Sequence, residues 1–130
     1  MDTSALVAAL VVDHEHHAIA RARLGAAMRL PAIVLAETFS QLRRTFGQPA
    51  STAAAVLQPW VAHRARILPT TAKATVTAFA RAVELDLGGS IHDALVAQVC
   101  ADHSVPLVTL DGRQHRLALA MGVDSTYLLA

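Results

Sequence analysis

Four of the ten carboxylic acids in this 130-residue chain occupy similar places relative to the predicted strands and helices. Asp2 begins the chain, Glu37 and Asp93 fall in the first turns of predicted helices, and Asp111 directly follows a predicted strand. Carboxylates gathered in one place repel by roughly 4 kcal/mol per close pair at a surface-like dielectric. A protein keeps such a cluster by protonating it or by neutralising it with a cation. Oxygen ligands without His or Cys favour Mg²⁺ or Mn²⁺ over zinc.

The elements around these acids predict an α/β fold of three layers. Short strands are expected at 32–34, 66–68, 106–110 and 125–129, and helices at 18–28, 37–46, 51–63, 71–87, 91–103 and 114–121. Strands that alternate with helices form βαβ units, which give a mostly parallel sheet covered on both faces. Carboxyl ends of strands and amino ends of the following helices share one edge of such a sheet, where ligands bind. The four acids are therefore expected to converge there.

Local signals define the ends of these helices. Ser51, Ser90 and either Thr70 or Thr71 are predicted N-caps, because their hydroxyls can accept a hydrogen bond from a free backbone N–H. Gly47 and Gly88-Gly89 are predicted to end helices. The predicted helix 71–87 has an apolar face formed by Val76, Phe79, Ala80, Val83 and Leu87. The predicted helix 91–103 has an apolar face formed by Leu95, Val96 and Val99.

Each acid alone also has a structural interpretation. An acid in the first turn of a helix interacts favourably with the helix dipole, by about 0.3–1 kcal/mol. This effect alone is enough to explain an acid at Glu37 or at Asp93. The pair Asp111-Gly112 is an ordinary turn sequence. It is the occurrence of all four acids at one predicted edge that favours a site.

The order of the motifs around these acids resembles the PIN domain, and most of all the VapC-type toxins. The motifs are DTSAL at 2–6, LAETFS at 35–40, HDAL at 92–95 and LVTLD at 107–111. The resemblance covers essentially the whole chain.

The resemblance implies a metal-dependent endoribonuclease that is the toxin of a type II toxin–antitoxin pair. Asp2, Glu37, Asp93 and Asp111 would be both its catalytic and its metal-binding residues, holding one or two Mg²⁺ or Mn²⁺ ions. Ser4 and Thr109 match small polar residues that support these acids in the family. A metal-activated water would cleave an RNA phosphodiester bond and leave a 5′-phosphate and a 3′-hydroxyl. The implied partners are RNA, a VapB-like antitoxin that inserts a basic residue into the acidic pocket, and a second copy of the chain.

The sequence departs from the family pattern at its beginning. Family members have a few apolar strand residues ahead of the first acid, whereas only Met1 precedes Asp2. We therefore expect either a shortened central strand with a positive amino terminus beside the metal site, or a native start upstream of Met1.

Several other residues could contact RNA or metal. The arginines Arg43, Arg44, Arg113 and Arg116 flank the acids in sequence and could bind phosphates, although solvated helix faces explain them equally well. The segment Asp13–His17 is rich in His and acids, but its spacing favours a polar helix start over a metal site. Trp60 and Phe46 are expected to be packing residues rather than platforms for base stacking, because the chain has few other aromatic residues.

The composition favours one globular domain over residues 1–130, because 54% of the residues are hydrophobic and 16% are charged. The net charge of +1 neither indicates nor excludes a nucleic-acid partner. A single cysteine, Cys100, precludes an internal disulfide and suits the cytoplasm, where we expect it to be a buried apolar residue. The longest apolar run, Ala5–Val12, is too short to span a membrane.

Two alternatives stay open at this stage. A receiver-like or phosphatase-like Mg²⁺ domain also carries Asp at strand ends, but it needs a Lys at the same edge, and Lys73 is poorly placed for that role. The second alternative is a PIN fold that binds without catalysing a reaction.

Overall fold

Helices and short strands alternate along the chain in a computed structural model that describes residues 1–25, 27–86 and 90–130. The helices are α1 (Thr3–Leu10), α2 (His17–Arg21), α3 (Ala32–Arg44), α4 (Ala50–Val61), α5 (Ala72–Glu84), α6 (Ile91–Asp102) and α7 (Gly112–Ala120). The strands are β1 (Leu30–Pro31), β2 (Ile67–Leu68), β3 (Leu107–Thr109) and β4 (Ser125–Tyr127).

The strands form two parallel pairs. Leu30 of β1 is in register with Ile67 of β2, and Leu107 of β3 is in register with Ser125 of β4. The backbone N–H of Asp2 donates to the carbonyl of Val108 at 3.0 Å, so the first residues lie alongside β3. The predicted three-layer α/β/α fold with a short, mostly parallel sheet is confirmed, although the strands are shorter than expected.

The strand predicted at 32–34 is wrong, because these residues form the first turn of α3. Pro31 has φ −55° and ψ 138° and directly precedes the helix, and a proline is well tolerated at a helix start. Val34, Thr38 and Leu42 are buried at fourfold spacing, so the apolar run continues the buried face of the helix. Glu37 consequently lies in the second turn of α3 and not in the first.

Three other predicted boundaries are also wrong. The helix expected at 18–28 covers only His17–Arg21, and Leu24 and Met28 pack against the core from outside the helix. The N-cap of α4 is Pro49, and Ser51 lies inside the helix. Arg66 belongs to a 3₁₀ turn, Arg64–Arg66, and not to β2.

The N-caps predicted for α5 and α6 are confirmed. The Thr71 hydroxyl accepts from the Ala74 N–H, and the Ser90 hydroxyl accepts from the His92 N–H. In α6, Val96 and Val99 are buried as expected, and Leu95 is half-buried.

The apolar stripe of α5 faces outward. Val76, Phe79 and Val83 are 70%, 56% and 82% exposed, and only Ala74 and Ala78 of this helix are buried. The predicted end of the stripe, Leu87, and the predicted stop at Gly88-Gly89 lie outside the described residues.

The core is built around α1, in which Ala5 to Ala9 are all buried. Trp60 is 2% exposed and its indole N–H donates to the Met28 carbonyl, which confirms it as a packing residue. Cys100 is buried as predicted, and burial raises the pKa of its thiol to about 11. Across 1–25, 27–86 and 90–130, no helix combines the length and the apolar character needed to cross a membrane.

Candidate active site

Asp111 begins α7 immediately after β3, at the carboxyl edge of the sheet. Its carboxylate Oδ1 accepts from the Arg113 N–H at 2.8 Å and so caps the helix. Its own N–H donates to the Thr109 hydroxyl at 2.9 Å. Asp111 therefore has a capping role, and its second carboxylate oxygen accepts no hydrogen bond from the described part of the protein.

Asp2 caps α1 beside the end of the same strand, and its side chain is the most buried of the four acids at 7% exposure. Its Oδ1 accepts from the Ser4 hydroxyl at 2.8 Å and from the Ala5 N–H at 3.0 Å. Its Oδ2 accepts from the Thr109 hydroxyl at 2.5 Å. The predicted supporting residues Ser4 and Thr109 thus both contact Asp2, and Thr109 joins it to the backbone of Asp111.

Two opposing effects act on the ionisation of Asp2. Burial raises the pKa of its carboxyl group, while the hydrogen bonds from Thr109, Ala5 and Ser4 lower it. The positive amino terminus also lowers it, although Met1 is itself buried and burial lowers the pKa of its amino group. The amino nitrogen lies 3.9 Å from the sulfur of Met28.

Glu37 and Asp93 approach from two helices and are half-buried. Glu37 accepts one hydrogen bond, from the Thr3 hydroxyl at 3.0 Å. Asp93 lies in the first turn of α6, as predicted, and its backbone carbonyl accepts from the Gln114 side chain at 3.1 Å. Within the described residues, no hydrogen-bond donor contacts the Asp93 carboxylate.

The other three acids affect the ionisation of Asp93. Burial raises the pKa of its carboxyl group, and the negative charges of Asp111, Asp2 and Glu37 raise it further, in that order of size. The charge of Arg113 acts in the opposite direction. Hydrogen bonds link three of these acids directly, because Thr109 joins Asp2 to Asp111 and Thr3, next to Asp2, donates to Glu37.

The donor chemistry of this cluster fits a hard divalent cation. Its four acids offer only carboxylate oxygens, and no Lys or Arg of the described chain lies within 4.0 Å of them as an ion-pair partner. The spacing is less complete: among residues 1–25, 27–86 and 90–130, no three His, Cys, Asp or Glu side chains stand close enough to form a ready metal site. The carboxylate oxygens are therefore suitable ligands for Mg²⁺ or Mn²⁺. Their present spacing does not form a complete coordination site.

The arginines predicted near the acids are all exposed, and they differ in placement. Arg113 is close enough to lower the pKa of Asp93. Arg44 follows Glu37 by seven residues in α3 and so shares its helix face, whereas Arg43 points elsewhere. Arg116 lies one turn beyond Arg113 in α7, and its guanidinium is near Gly112.

Two further polar residues contact the acids and are not predicted by the sequence. Thr3 donates to Glu37, and its position between Asp2 and Ser4 was the available signal. Gln114 is 1% exposed and connects α7 to Asp93, but its carbonyl oxygen Oε1 has no hydrogen-bond partner in the described structure. Glutamine in a helix is normally exposed, so nothing in the sequence marked Gln114.

The Asp13–His17 segment is polar and leads into the start of α2, as predicted. His17 starts this helix, and its Nδ1 lies 2.9 Å from the Ala8 carbonyl. Lys73, which a receiver-like site would need, is exposed in the first turn of α5 and is not among the charges that act on Asp93.

Comparison with known proteins identifies the family and the fold. The family model of the PIN domain matches residues 1–119. The fold is similar to the crystal structure of VapC20 from Mycobacterium tuberculosis, described as a sarcin–ricin loop cleaving toxin, with a TM-score of 0.73 and 24% sequence identity over 87% of this chain and 89% of that one. No curated protein sequence matches the chain.

Proposed function

The chain belongs to the PIN-domain family, and we propose that it is a metal-dependent endoribonuclease that serves as the toxin of a toxin–antitoxin pair. The observation that supports this most is the hydrogen bonding that joins the segments carrying the four acids: the Thr109 hydroxyl contacts both Asp2 and the Asp111 N–H, the Thr3 hydroxyl donates to Glu37, and Gln114 of α7 donates to the Asp93 carbonyl. A protein gains from holding acids together in this way when a cation binds there. The similarity of fold to a toxin that cleaves the sarcin–ricin loop supports RNA as the substrate.

In this proposal Asp2, Glu37, Asp93 and Asp111 hold one or two Mg²⁺ or Mn²⁺ ions. Bound there, the metal would lower the pKa of a water molecule and stabilise negative charge on the phosphate. Hydrolysis would break the bond between phosphorus and the 3′-oxygen, leaving a 5′-phosphate and a 3′-hydroxyl.

The other residues of the site orient the acids and the substrate. The hydroxyls of Ser4 and Thr109 fix both oxygens of Asp2. Arg113, which already interacts with Asp93, and Arg44, on the Glu37 face of α3, are the best placed to contact RNA phosphates. Arg43 and Arg116 would act farther from the acids.

The exposed stripe on α5 suits the proposed homodimer. Val76, Phe79, Ala80 and Val83 form a continuous apolar surface on this helix, and isolated apolar patches of this kind commonly mark protein interfaces. We expect Phe79→Glu to convert a dimer into a monomer in light scattering. The same mass for both proteins would contradict this interface. The VapB-like antitoxin would bind separately, with a basic residue in the acidic pocket.

The decisive experiment is cleavage of a mixed RNA pool by the purified chain with Mg²⁺ or Mn²⁺, with and without EDTA. We expect cleavage that EDTA and Asp93→Asn each abolish. Asp102→Asn is the matched control, since Asp102 lies on the same helix and is exposed, away from the other three acids. Absence of cleavage with either metal, or equal loss in both variants, would contradict the proposal.

A further inference from the structure

A groove opens beside the acidic site, and we call it the histidine groove. The residues on which the argument depends are Ser4, His14, His16, Gln41, Phe46 and Leu110. Ser4 belongs to both places, because its hydroxyl donates to Asp2 and accepts from the Leu110 N–H at 3.2 Å. Gln41 lies one helical turn after Glu37. The groove is therefore continuous with the acidic site on two sides.

Two imidazole rings line the groove and are held in place. The His16 N–H donates to Nδ1 of His14 at 3.1 Å, so a neutral His14 carries its proton on Nε2. The ring centroids of His14 and His16 are 5.8 Å apart, with an angle of 49° between the rings. Both residues are only half-buried. They can therefore donate and accept hydrogen bonds in the groove.

Phe46 provides an aromatic surface in the same groove. It follows α3 and is 38% exposed, and it does not belong to the apolar core clusters. The expectation that Phe46 is a packing residue is therefore wrong. Its side chain is accessible from the groove beside the two imidazole rings, and an accessible aromatic ring suits a planar ligand.

We propose that the histidine groove binds one unpaired nucleobase of single-stranded RNA next to the bond that is cleaved. The base would stack on Phe46, while His14, His16 and Gln41 would form hydrogen bonds with its edge. Unpaired bases are recognised by this combination of an aromatic platform with side chains that can donate and accept hydrogen bonds. This inference rests on the proposed ribonuclease function and adds a site that selects the substrate.

The chemistry of the groove favours a nucleobase over a basic peptide. The described residues that line it include no carboxylate. Glu15, whose Oε1 lies 3.5 Å from Nε2 of His16, is largely exposed, so it would give a cationic side chain only a weak, solvent-screened countercharge. The four acids lie in the adjoining site, where they would meet the metal and the phosphate. A nucleotide can place its neutral base in the groove and its charged phosphate near the acids.

The test compares Phe46→Leu with Phe46→Tyr in the full chain. Leucine keeps the apolar volume but cannot stack, whereas tyrosine keeps the ring. With a single-stranded oligoribonucleotide and Mn²⁺, we expect Phe46→Leu to raise KM about tenfold and to leave kcat almost unchanged. Phe46→Tyr should resemble the wild type, and His14→Asn should change which base is preferred beside the cleaved bond. His63→Asn, an exposed histidine outside the groove, is the control.

Thermal unfolding of each variant shows whether it is folded. Equal KM values for folded Phe46→Leu and Phe46→Tyr would overturn the inference. If the wild-type chain cleaves no RNA, the proposed function fails, and fluorescence anisotropy then tests the groove alone. In that case about tenfold weaker binding of the oligoribonucleotide by Phe46→Leu supports the groove. Unchanged RNA binding, with weaker binding of an arginine-rich peptide, would identify a protein partner instead and contradict the inference.

Discussion

The two halves of the acidic site are held in different ways. In one half, Asp2 and Asp111 cap helices and are joined through the Thr109 hydroxyl, so most of their oxygens already have partners. In the other half, Glu37 accepts a single hydrogen bond and the Asp93 carboxylate accepts none from the described residues. We call these the bonded half and the open half.

This difference indicates a division of labour within the proposed metal site. The bonded half is fixed by the fold itself, because the caps and hydroxyls would be present whether or not a cation binds. In the open half, the negative charge of Asp93 is disfavoured by its surroundings, because burial and the three other acids raise the pKa of its carboxyl group. The open half should therefore respond most to a cation, and the bonded half most to the loss of a hydroxyl.

The largest effect on stability is expected from Thr109→Val, which breaks the bonded half. Thr109 is completely buried, and its loss would leave an oxygen of Asp2 and the Asp111 N–H without their present partner. We expect the free energy of unfolding to fall by about 1–3 kcal/mol. Denaturant unfolding measures this directly.

Thr38→Val is the matched control for this prediction. Thr38 is equally buried, but its hydroxyl has no hydrogen-bond partner in the described structure. Replacing it should leave stability unchanged or increase it. Equal losses for the two variants would mean that the hydroxyl of Thr109 contributes nothing specific to the bonded half.

A smaller effect of opposite sign is expected from Asp93→Asn in the open half. Removing a charge that burial and the neighbouring acids disfavour should stabilise the metal-free protein by about 1 kcal/mol or less, because the group is partly solvated. Asp102→Asn should lack this gain. Thermal unfolding in EDTA is the measurement, and a destabilised Asp93→Asn would show that the repulsion does not govern this half.

The gain from Asp93→Asn should depend on pH. The folded protein holds the Asp93 proton to a higher pH than the unfolded chain, whose carboxyl has the ordinary pKa of 3.8. The folded state therefore binds more protons just above pH 3.8, and this residue makes the wild type less stable as pH rises through that window. We expect the variant and the wild type to be equally stable below pH 3.8 and to diverge above it. A difference that is constant with pH would contradict this assignment.

The smallest effect is expected from Gln114→Leu, which removes the link between α7 and the backbone of Asp93. The change also removes a buried carbonyl oxygen without a partner, so stability should change little. Affinity for Mn²⁺ should fall a few-fold, since Asp93 would be less firmly placed. Gln98→Leu is the control, because Gln98 is buried on the same helix as Asp93 but donates to Asp102. Equal Mn²⁺ affinities for the two variants would exclude a positioning role for Gln114.

The sequence predicted which acids follow a strand or start a helix, because strand ends and helix starts follow from short-range patterns. Asp111 and Asp93 lie where their caps and apolar runs placed them. Glu37 was assigned to the wrong turn, since Ala32–Val34 reads equally well as a strand or as the start of a helix. Only the tertiary structure, in which Val34 and Leu42 share a buried face, decides between the two.

Contacts between distant segments could not be predicted. The Thr3 hydroxyl meets Glu37, and the Gln114 amide meets Asp93, through packing of separate helices. The stripe on α5 had the periodicity of a buried face and is exposed, because periodicity shows that a face is apolar but not what covers it. For the same reason, the sequence did not show that the Phe46 side chain is exposed.

The central claim is that the four acids together bind a divalent cation, and calorimetric titration of Mn²⁺ into the purified chain tests it most directly. We expect saturable binding by the wild type and by Asp102→Asn, and binding at least about tenfold weaker by Asp93→Asn. Equal affinity of the wild type and Asp93→Asn, or no binding by the wild type, would contradict the account.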